Sequence, residues 1–246
     1  MGCTFLIDSN LPINTEDEKV AKVLRDFNVT YHETTDLPLI GREIRAHKPD
    51  IAYIPSADWH RSLRDGDRHY SGLVIPTSKF TGKTDLPSVL VVRRDDPATS
   101  LVDLRGASYG YINKSCTSSY FPPIVMLHRK GMCADEFLDM RPVKAWQGQI
   151  DAVVDGEVRA TMVPEDTWRI LGANAETTKI IDRFEEGKPG IVVARCDLDQ
   201  KLRAELTDAL VEWTPSSCSI YSRFKPFQQE DTESLFRQLD QLPPGS

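Results

Sequence analysis

Two short runs, Ser88–Arg94 (SVLVVRR) and Gly190–Arg195 (GIVVAR), decide how this chain is read. Each is aliphatic and rich in valine, the composition of a strand buried on both faces. Each is followed by a charged turn, RRDDP after the first and ARCDLD after the second. They read as a matched pair at which the chain passes between two lobes, and the stretch between them reads as an insertion of about 95 residues, large enough to hold its own core. One doubly wound domain would alternate strand and helix in the same way, but a lone sheet needs no long insertion bracketed by twin strands. The expected boundaries are 1–94 for the first part of lobe one, 95–190 for the inserted lobe, and 191–246 for the return strand and C-terminal helices.

Working outward to the N-terminal side, Thr4–Asp8, Val29–Glu33 and Asp50–Ile54 read as strands. Between them lie a helix carrying Val20, Val23, Leu24 and Phe27 and a second over Pro38–His47. Thr15 and Glu18 have the spacing of a capping box for the first helix. This is the β-α-β-α-β rhythm of a parallel sheet. The insertion repeats the alternation: a helix at Leu101–Leu104, a strand over Ser108–Ile112, a loop over Asn113–Ser119 and a helix from Tyr120 to Lys130, then a strand at Arg141–Val143, a helix over Trp146–Asp155 and a strand at Ala160–Val163. Two helices close the chain, one on Leu198, Leu202, Leu206, Leu210 and Trp213, the other on Leu235, Phe236, Leu239 and Leu242, and both are expected to pack on lobe one.

Composition excludes several classes. The 246 residues are 40% apolar and 27% charged, with a formal net charge of -7. That is an ordinary globular balance, with no basic footprint for nucleic acid. No window reaches the ~18 consecutive apolar residues of a membrane span. Cys3, Cys116, Cys133, Cys196 and Cys218 are odd in number and form no C-x-x-C pair, so neither a disulfide framework nor a zinc site is expected. The five histidines lack metal spacing, and His60 and His69 read as solvated loop residues. No metal or cofactor is expected. MGCTFLIDSN lacks the basic and apolar regions of a secretion signal, so a cytoplasmic setting is expected, with a periplasmic or cell-surface one as the alternative if a leader precedes it.

The segment Gly110–Pro123, GYINKSCTSSYFPP, runs from an apolar strand through serine and threonine into a helix. A turn of that kind aims amides, hydroxyls and the positive end of a helix dipole at one point, so an acidic protein can hold an oxyanion there without lysine or arginine.

Three segments in fixed order resemble the phosphonate, phosphite and phosphate solute-binding proteins of bacterial ABC importers: DIAYIPSADW (50–59), LVVRRDDPATSLVDLRGASYGYINKSCTSSYFPP (90–123) and IDAVVDGEVRATMVPEDTWRIL (150–171). The likeness covers most of residues 4–213. It implies an α/β, two-lobed, type 2 periplasmic-binding-protein-like fold, each lobe a mostly parallel sheet flanked by helices, joined by two hinge strands. It also implies a non-enzymatic protein that closes around a small oxyanion, with an ABC permease as a further partner. Carried over residue by residue, the anion loop falls on Ser115, Cys116, Thr117 and Ser118, the first-lobe aromatic on Trp59, and the second-lobe acid on Asp166 or Glu165. Gln149 stands where many members have histidine, and Cys116 where they have serine. Asn10 and Leu11 follow the first strand, where the family's first lobe also faces ligand. Two other readings share the fold. An enzyme of the decarboxylase, desulfinase or lyase type would use Cys116 as nucleophile, although the sequence reveals no base beside it; a cytoplasmic sensor would bind the same ligand.

Overall fold

The computed structural model describes residues 3–8, 17–143, 147–171, 174–213 and 219–243. The chain divides into two compact units, Met1–Thr84 with Pro189–Thr232, and Asp85–Lys188 with Glu233–Ser246. In chain order the first unit holds β1 (Cys3–Asp8), α1 (Glu18–Asp26), β2 (Val29–Thr34), α2 (Leu37–Arg45), β3 (Ile51–Ile54), α3 (Ser56–Arg64) and β4 (Tyr70–Ser78). The second follows with β5 (Ser88–Arg93), a 3-10 turn at Leu101–Leu104, β6 (Ser108–Tyr111), α4 (Phe121–His128), α5 (Ala134–Phe137), β7 (Asp139–Pro142), α6 (Gln147–Val154), β8 (Ala160–Pro164), α7 (Glu165–Ile170), α8 (Asn174–Thr177) and β9 (Thr178–Phe184). The chain then returns to the first unit in β10 (Ile191–Arg195), α9 (Gln200–Glu212) and β11 (Tyr221–Pro226), and ends in α10 (Glu230–Leu239), which runs from one unit into the other.

The first unit is built on a six-stranded sheet of order β11-β4-β10-β3-β1-β2. Its three N-terminal strands pair in parallel, as the sequence rhythm expects, while β10, β4 and β11 join antiparallel. The second unit has a five-stranded sheet, β7-β6-β8-β5-β9, in which β6 pairs in parallel with β7 and β8, and β5 pairs antiparallel with β8 and β9. Both sheets are therefore mixed rather than mostly parallel. The two runs read as twins do not share a sheet. β10 lies inside the first and β5 inside the second, so the units divide at Thr84/Asp85 and again at Lys188/Pro189, and residues 85–94 belong with the second unit rather than the first.

The interior strands carry the core. All four residues of β3 and the first four of β10 are buried, as are Ser88 to Val92 of β5, which is why these runs read as continuous apolar stretches. α1 is capped by Asp17, whose carboxylate accepts the amides of Lys19 at 3.0 Å and Val20 at 3.3 Å. The expected partner of Glu18 in a capping box, Thr15, lies outside the described residues. In the second unit the Asp103 carboxylate accepts the amides of Thr99 and Ser100, at 2.8 and 3.0 Å, and stiffens the turn ahead of β6. Three strands had no clean signal in the sequence. β4 contains Gly72 and Pro76, both depleted in strands, and β9 and β11 are only partly buried.

Gly190 marks a tight return into the first sheet. A Cβ there would lie 2.6 Å from the Ile54 carbonyl oxygen and 2.5 Å from Tyr53 Cζ, while the Gly190 N–H donates to the Tyr53 hydroxyl at 2.9 Å. Gly190→Ala is expected to destabilise the protein by about 1 to 3 kcal/mol through overpacking. In urea unfolding the midpoint should fall at an unchanged slope; an unchanged midpoint would mean that the strand gives way at little cost.

Candidate functional site

The parallel pairing of β6 with β8 sets Tyr109 opposite Ala160 and Gly110 opposite Thr161. Adjacent parallel strands deliver their following segments to the same edge of a sheet, the edge at which α/β proteins bind ligands. The segment after β6 is the Ser/Thr loop leading into α4, and the segment after β8 is the start of α7, at Glu165 and Asp166. The second unit thus brings the Ser/Thr loop and the candidate acids to one edge of its sheet.

The loop is built from its own polar groups. Asn113 organises its entry: its side-chain oxygen accepts the Ser115 amide at 2.9 Å and its carbonyl accepts the Cys116 amide at 3.1 Å. The Cys116 carbonyl then takes the Tyr120 amide at 3.1 Å, wrapping residues 116–120 into one turn. Ser119 is fully buried and ties the loop to β6, its carbonyl accepting the Tyr109 hydroxyl at 2.7 Å and its own hydroxyl accepting the Ile112 amide at 3.2 Å.

Within that frame the amides of Thr117, Ser118 and Ser119 have no acceptor among the described residues. All three residues are buried. Unaccepted N–H groups at buried residues are rare in proteins, and here three follow in succession. α4 cannot supply the usual first-turn amides because its next two residues, Pro122 and Pro123, have no N–H to give. The donors fall instead on the residues just ahead of the helix.

The side chains divide by role. The Thr117 hydroxyl donates to the Lys188 carbonyl at 3.1 Å, and the Cys116 sulfur lies 3.3 Å from the Ser118 hydroxyl oxygen. The pKa of Tyr109 is raised well above its ordinary value, chiefly by burial and secondarily by Cys116. Neither Ser118 nor Tyr109 is a base at neutral pH.

Gln149 is fully buried in α6, where its amide nitrogen donates to Thr161 Oγ1 at 2.7 Å and to the Met162 carbonyl at 3.1 Å. The Thr161 hydroxyl passes on to the Gly110 carbonyl at 2.8 Å. Gln149 therefore braces β8 and, through Thr161, the end of β6 from which the loop springs. Its own Oε1 is buried with no described partner.

Glu165 holds an ion pair with Arg169 at 2.8 Å and a two-pronged one with Arg183. Burial works to raise its pKa, but hydrogen bonds from Arg183 and then Arg169 outweigh it and hold the carboxyl below its ordinary range. That pairing makes Glu165 a clamp between α7 and β9. The second candidate acid, Asp166, is buried in the first turn of α7.

In the first unit Trp59 lies in the first turn of α3, directly after β3, and is 4% exposed. Its indole N–H has no described acceptor, a buried donor of the kind a polar ligand would satisfy. His60, read from sequence as a solvated loop residue, is in fact buried on the same helix. Asn10 and Leu11 lie outside the described residues. The sequence reading missed Lys188, a buried lysine ion-paired with Asp85 whose carbonyl receives Thr117, and Arg183, which sits on a strand that carried no signal. Only the four-residue spacing of Glu165 and Arg169 was available to hint at the clamp.

The family model for the periplasmic substrate-binding proteins of phosphonate ABC transporters matches residues 18–238, and the chain belongs to that family. The family is a transporter component rather than an enzyme, and its setting is periplasmic, the alternative in the sequence reading. No match was found among curated protein sequences. Among solved structures, PhnD1 of Prochlorococcus marinus in complex with methylphosphonate has a TM-score of 0.74 at 15% identity, covering 98% of each chain. A binding protein of a Pseudomonas aeruginosa phosphonate ABC transporter gives 0.72 at 16% identity, over 96% of this chain and 85% of the other. The Escherichia coli aliphatic sulphonate binding protein gives 0.64 at 11%, over 98% and 88%. At such identities the likeness is one of fold. Among the described residues no helix is long and apolar enough to cross a membrane.

Because its pKa is depressed in the folded state, Glu165 contributes stability that is complete at neutral pH and is lost as pH falls through its folded value. Glu165→Gln is expected to cost about 1 to 3 kcal/mol at pH 7, the worth of hydrogen bonds to a charged group. The gap between parent and variant should close in acid. Unfolding both proteins in urea at pH 7 and below pH 4 checks this, and a gap that stays constant with pH would remove the ion pair as its source.

Proposed function

We propose that this protein binds a small tetrahedral oxyanion, a phosphonate, phosphite or phosphate-like ligand, on the loop Ser115–Ser118, and that it delivers this ligand to an ABC permease from a periplasmic setting. The observation that carries the reading is the run of donors at Thr117, Ser118 and Ser119, buried residues whose amides lack an acceptor. Dipoles of this kind hold an anion with no ionised partner, which suits a chain of net charge -7. The Ser118 hydroxyl adds a rotatable donor, as does the Thr117 hydroxyl once it leaves the Lys188 carbonyl. Family membership supports the ligand class, and the methylphosphonate complex of PhnD1 supports a phosphorus oxyanion in particular. Trp59 remains the first unit's own candidate donor.

Asp166 is proposed as the selecting acid. A carboxylate and a fully ionised oxyanion repel, so a nearby Asp166 favours a ligand that brings a proton or an amine. Phosphate and phosphonates retain a proton near neutral pH, and sulfate does not. Calorimetry is expected to show phosphate or methylphosphonate bound more tightly than sulfate, with Asp166→Asn narrowing that preference. Equal affinities in the parent would leave Asp166 as a helix-start residue alone.

Loss of a donor to a charged ligand costs about 1.5 to 3 kcal/mol, so Ser118→Ala and Thr117→Val should each weaken the best-bound oxyanion roughly tenfold to a hundredfold. If both variants bind as the parent does, the loop is not the anion site.

A further inference from the structure

The first unit carries a second cluster that the oxyanion reading does not use. His47, Asp67 and His69 come together beside a cavity of about 650 Å³, with one ligand atom from each lying within 4.8 Å of the others. The His47 and His69 rings stack with centroids 3.8 Å apart and planes 4° from parallel. His47 Nε2 stands 3.4 Å from Asp67 Oδ2. That is long for an N–H···O hydrogen bond, which runs to about 3.2 Å. It matches the edge of a tetrahedron around a metal, since two ligands bound at about 2.1 Å and 109° to one another lie about 3.4 Å apart.

The backbone presets this arrangement. His47 closes α2 in the left-handed region, with φ 54° and its amide donating to the Ile44 carbonyl at 2.8 Å. A side chain with a Cβ occupies that conformation at a cost. Asp67 uses Oδ1 to accept the His69 amide at 2.9 Å, which leaves Oδ2 for another partner. The His69 carbonyl is in turn pinned by the Cys196 amide at 2.8 Å. Both imidazoles are exposed, so the remaining adjustment is a turn of two rings on a fixed frame.

We propose that His47, Asp67 and His69 form a binding site for a divalent transition metal such as zinc or nickel, with the fourth position open to water. Three arginines, Arg45, Arg61 and Arg68, also line the cavity, and they select among cations. Calcium and magnesium depend on Coulomb attraction to several oxygens, whereas imidazole suits zinc, nickel and copper. Arg61 is engaged by Asp58 at 2.8 Å, and Arg68 by the carbonyls of Leu63 and Asp67 at 2.9 and 2.8 Å, so neither competes for the ligand atoms.

Chelator-treated protein titrated with Ni²⁺ and with Zn²⁺ by calorimetry is expected to take up one ion per chain, and to show no heat of binding with Mg²⁺ or Ca²⁺. His69→Ala and His47→Asn, the latter keeping a residue that tolerates the left-handed turn, should each weaken binding tenfold or more. Cys196→Ser, which alters a neighbouring thiol, should leave binding unchanged. In the unsubstituted protein Ni²⁺ should broaden the ring NMR signals of His47 and His69 ahead of those of His32 and His128, a readout independent of any variant's stability. No saturable uptake, uptake that survives both histidine substitutions, or broadening that begins at another histidine would overturn the proposal.

Discussion

The parallel pairing of β6 with β8 is the interaction on which the second unit's site depends. With Gly110 opposite Thr161, the strand that ends in the Ser/Thr loop and the strand that ends in Glu165-Asp166 leave the sheet at one edge. Thr161 strengthens the junction from within, accepting from Gln149 and donating to the Gly110 carbonyl. A buried chain from side-chain amide to hydroxyl to backbone is worth more in the low dielectric of an interior than the same bonds in water. In this chain Gln149 therefore serves as a brace.

Charge is handled differently at the two ends of that edge. At the loop the protein supplies backbone dipoles, and Pro122 and Pro123 shift the available amides away from α4 and onto Thr117, Ser118 and Ser119. At α7 it supplies carboxylates, and one of the two is cancelled by Arg169 and Arg183. Backbone donors and a clamped carboxylate therefore stand at one edge of the sheet.

The first unit shows the same economy with different groups. Trp59 is held in the first turn of α3, where its ring is packed and its N–H is left over. Some distance along the same unit, the turn after α2 and the turn before β4 bring two imidazoles and a carboxylate together on a surface cavity. Both features come from turns whose backbone bonds are satisfied locally, so that side-chain atoms remain to meet something else.

The amino-acid sequence determined the character of each piece: the buried strands from their aliphatic runs, a polar loop from hydroxyl residues between strand and helix, and the family from three segments in fixed order. These are local properties, set by neighbouring residues. Tertiary structure alone decided which sheet takes each strand, since an apolar run such as Val89–Val92 specifies burial and leaves its partner open. It also decided that Glu165 is clamped by an arginine on a strand with no clean pattern, that Gln149 is a brace, and that His47 meets His69 across 22 positions of sequence. The physical reason is the same in each case: composition encodes how much a side chain prefers water, while a hydrogen bond, an ion pair or a metal ligand set requires a particular second residue that only the folded chain brings near.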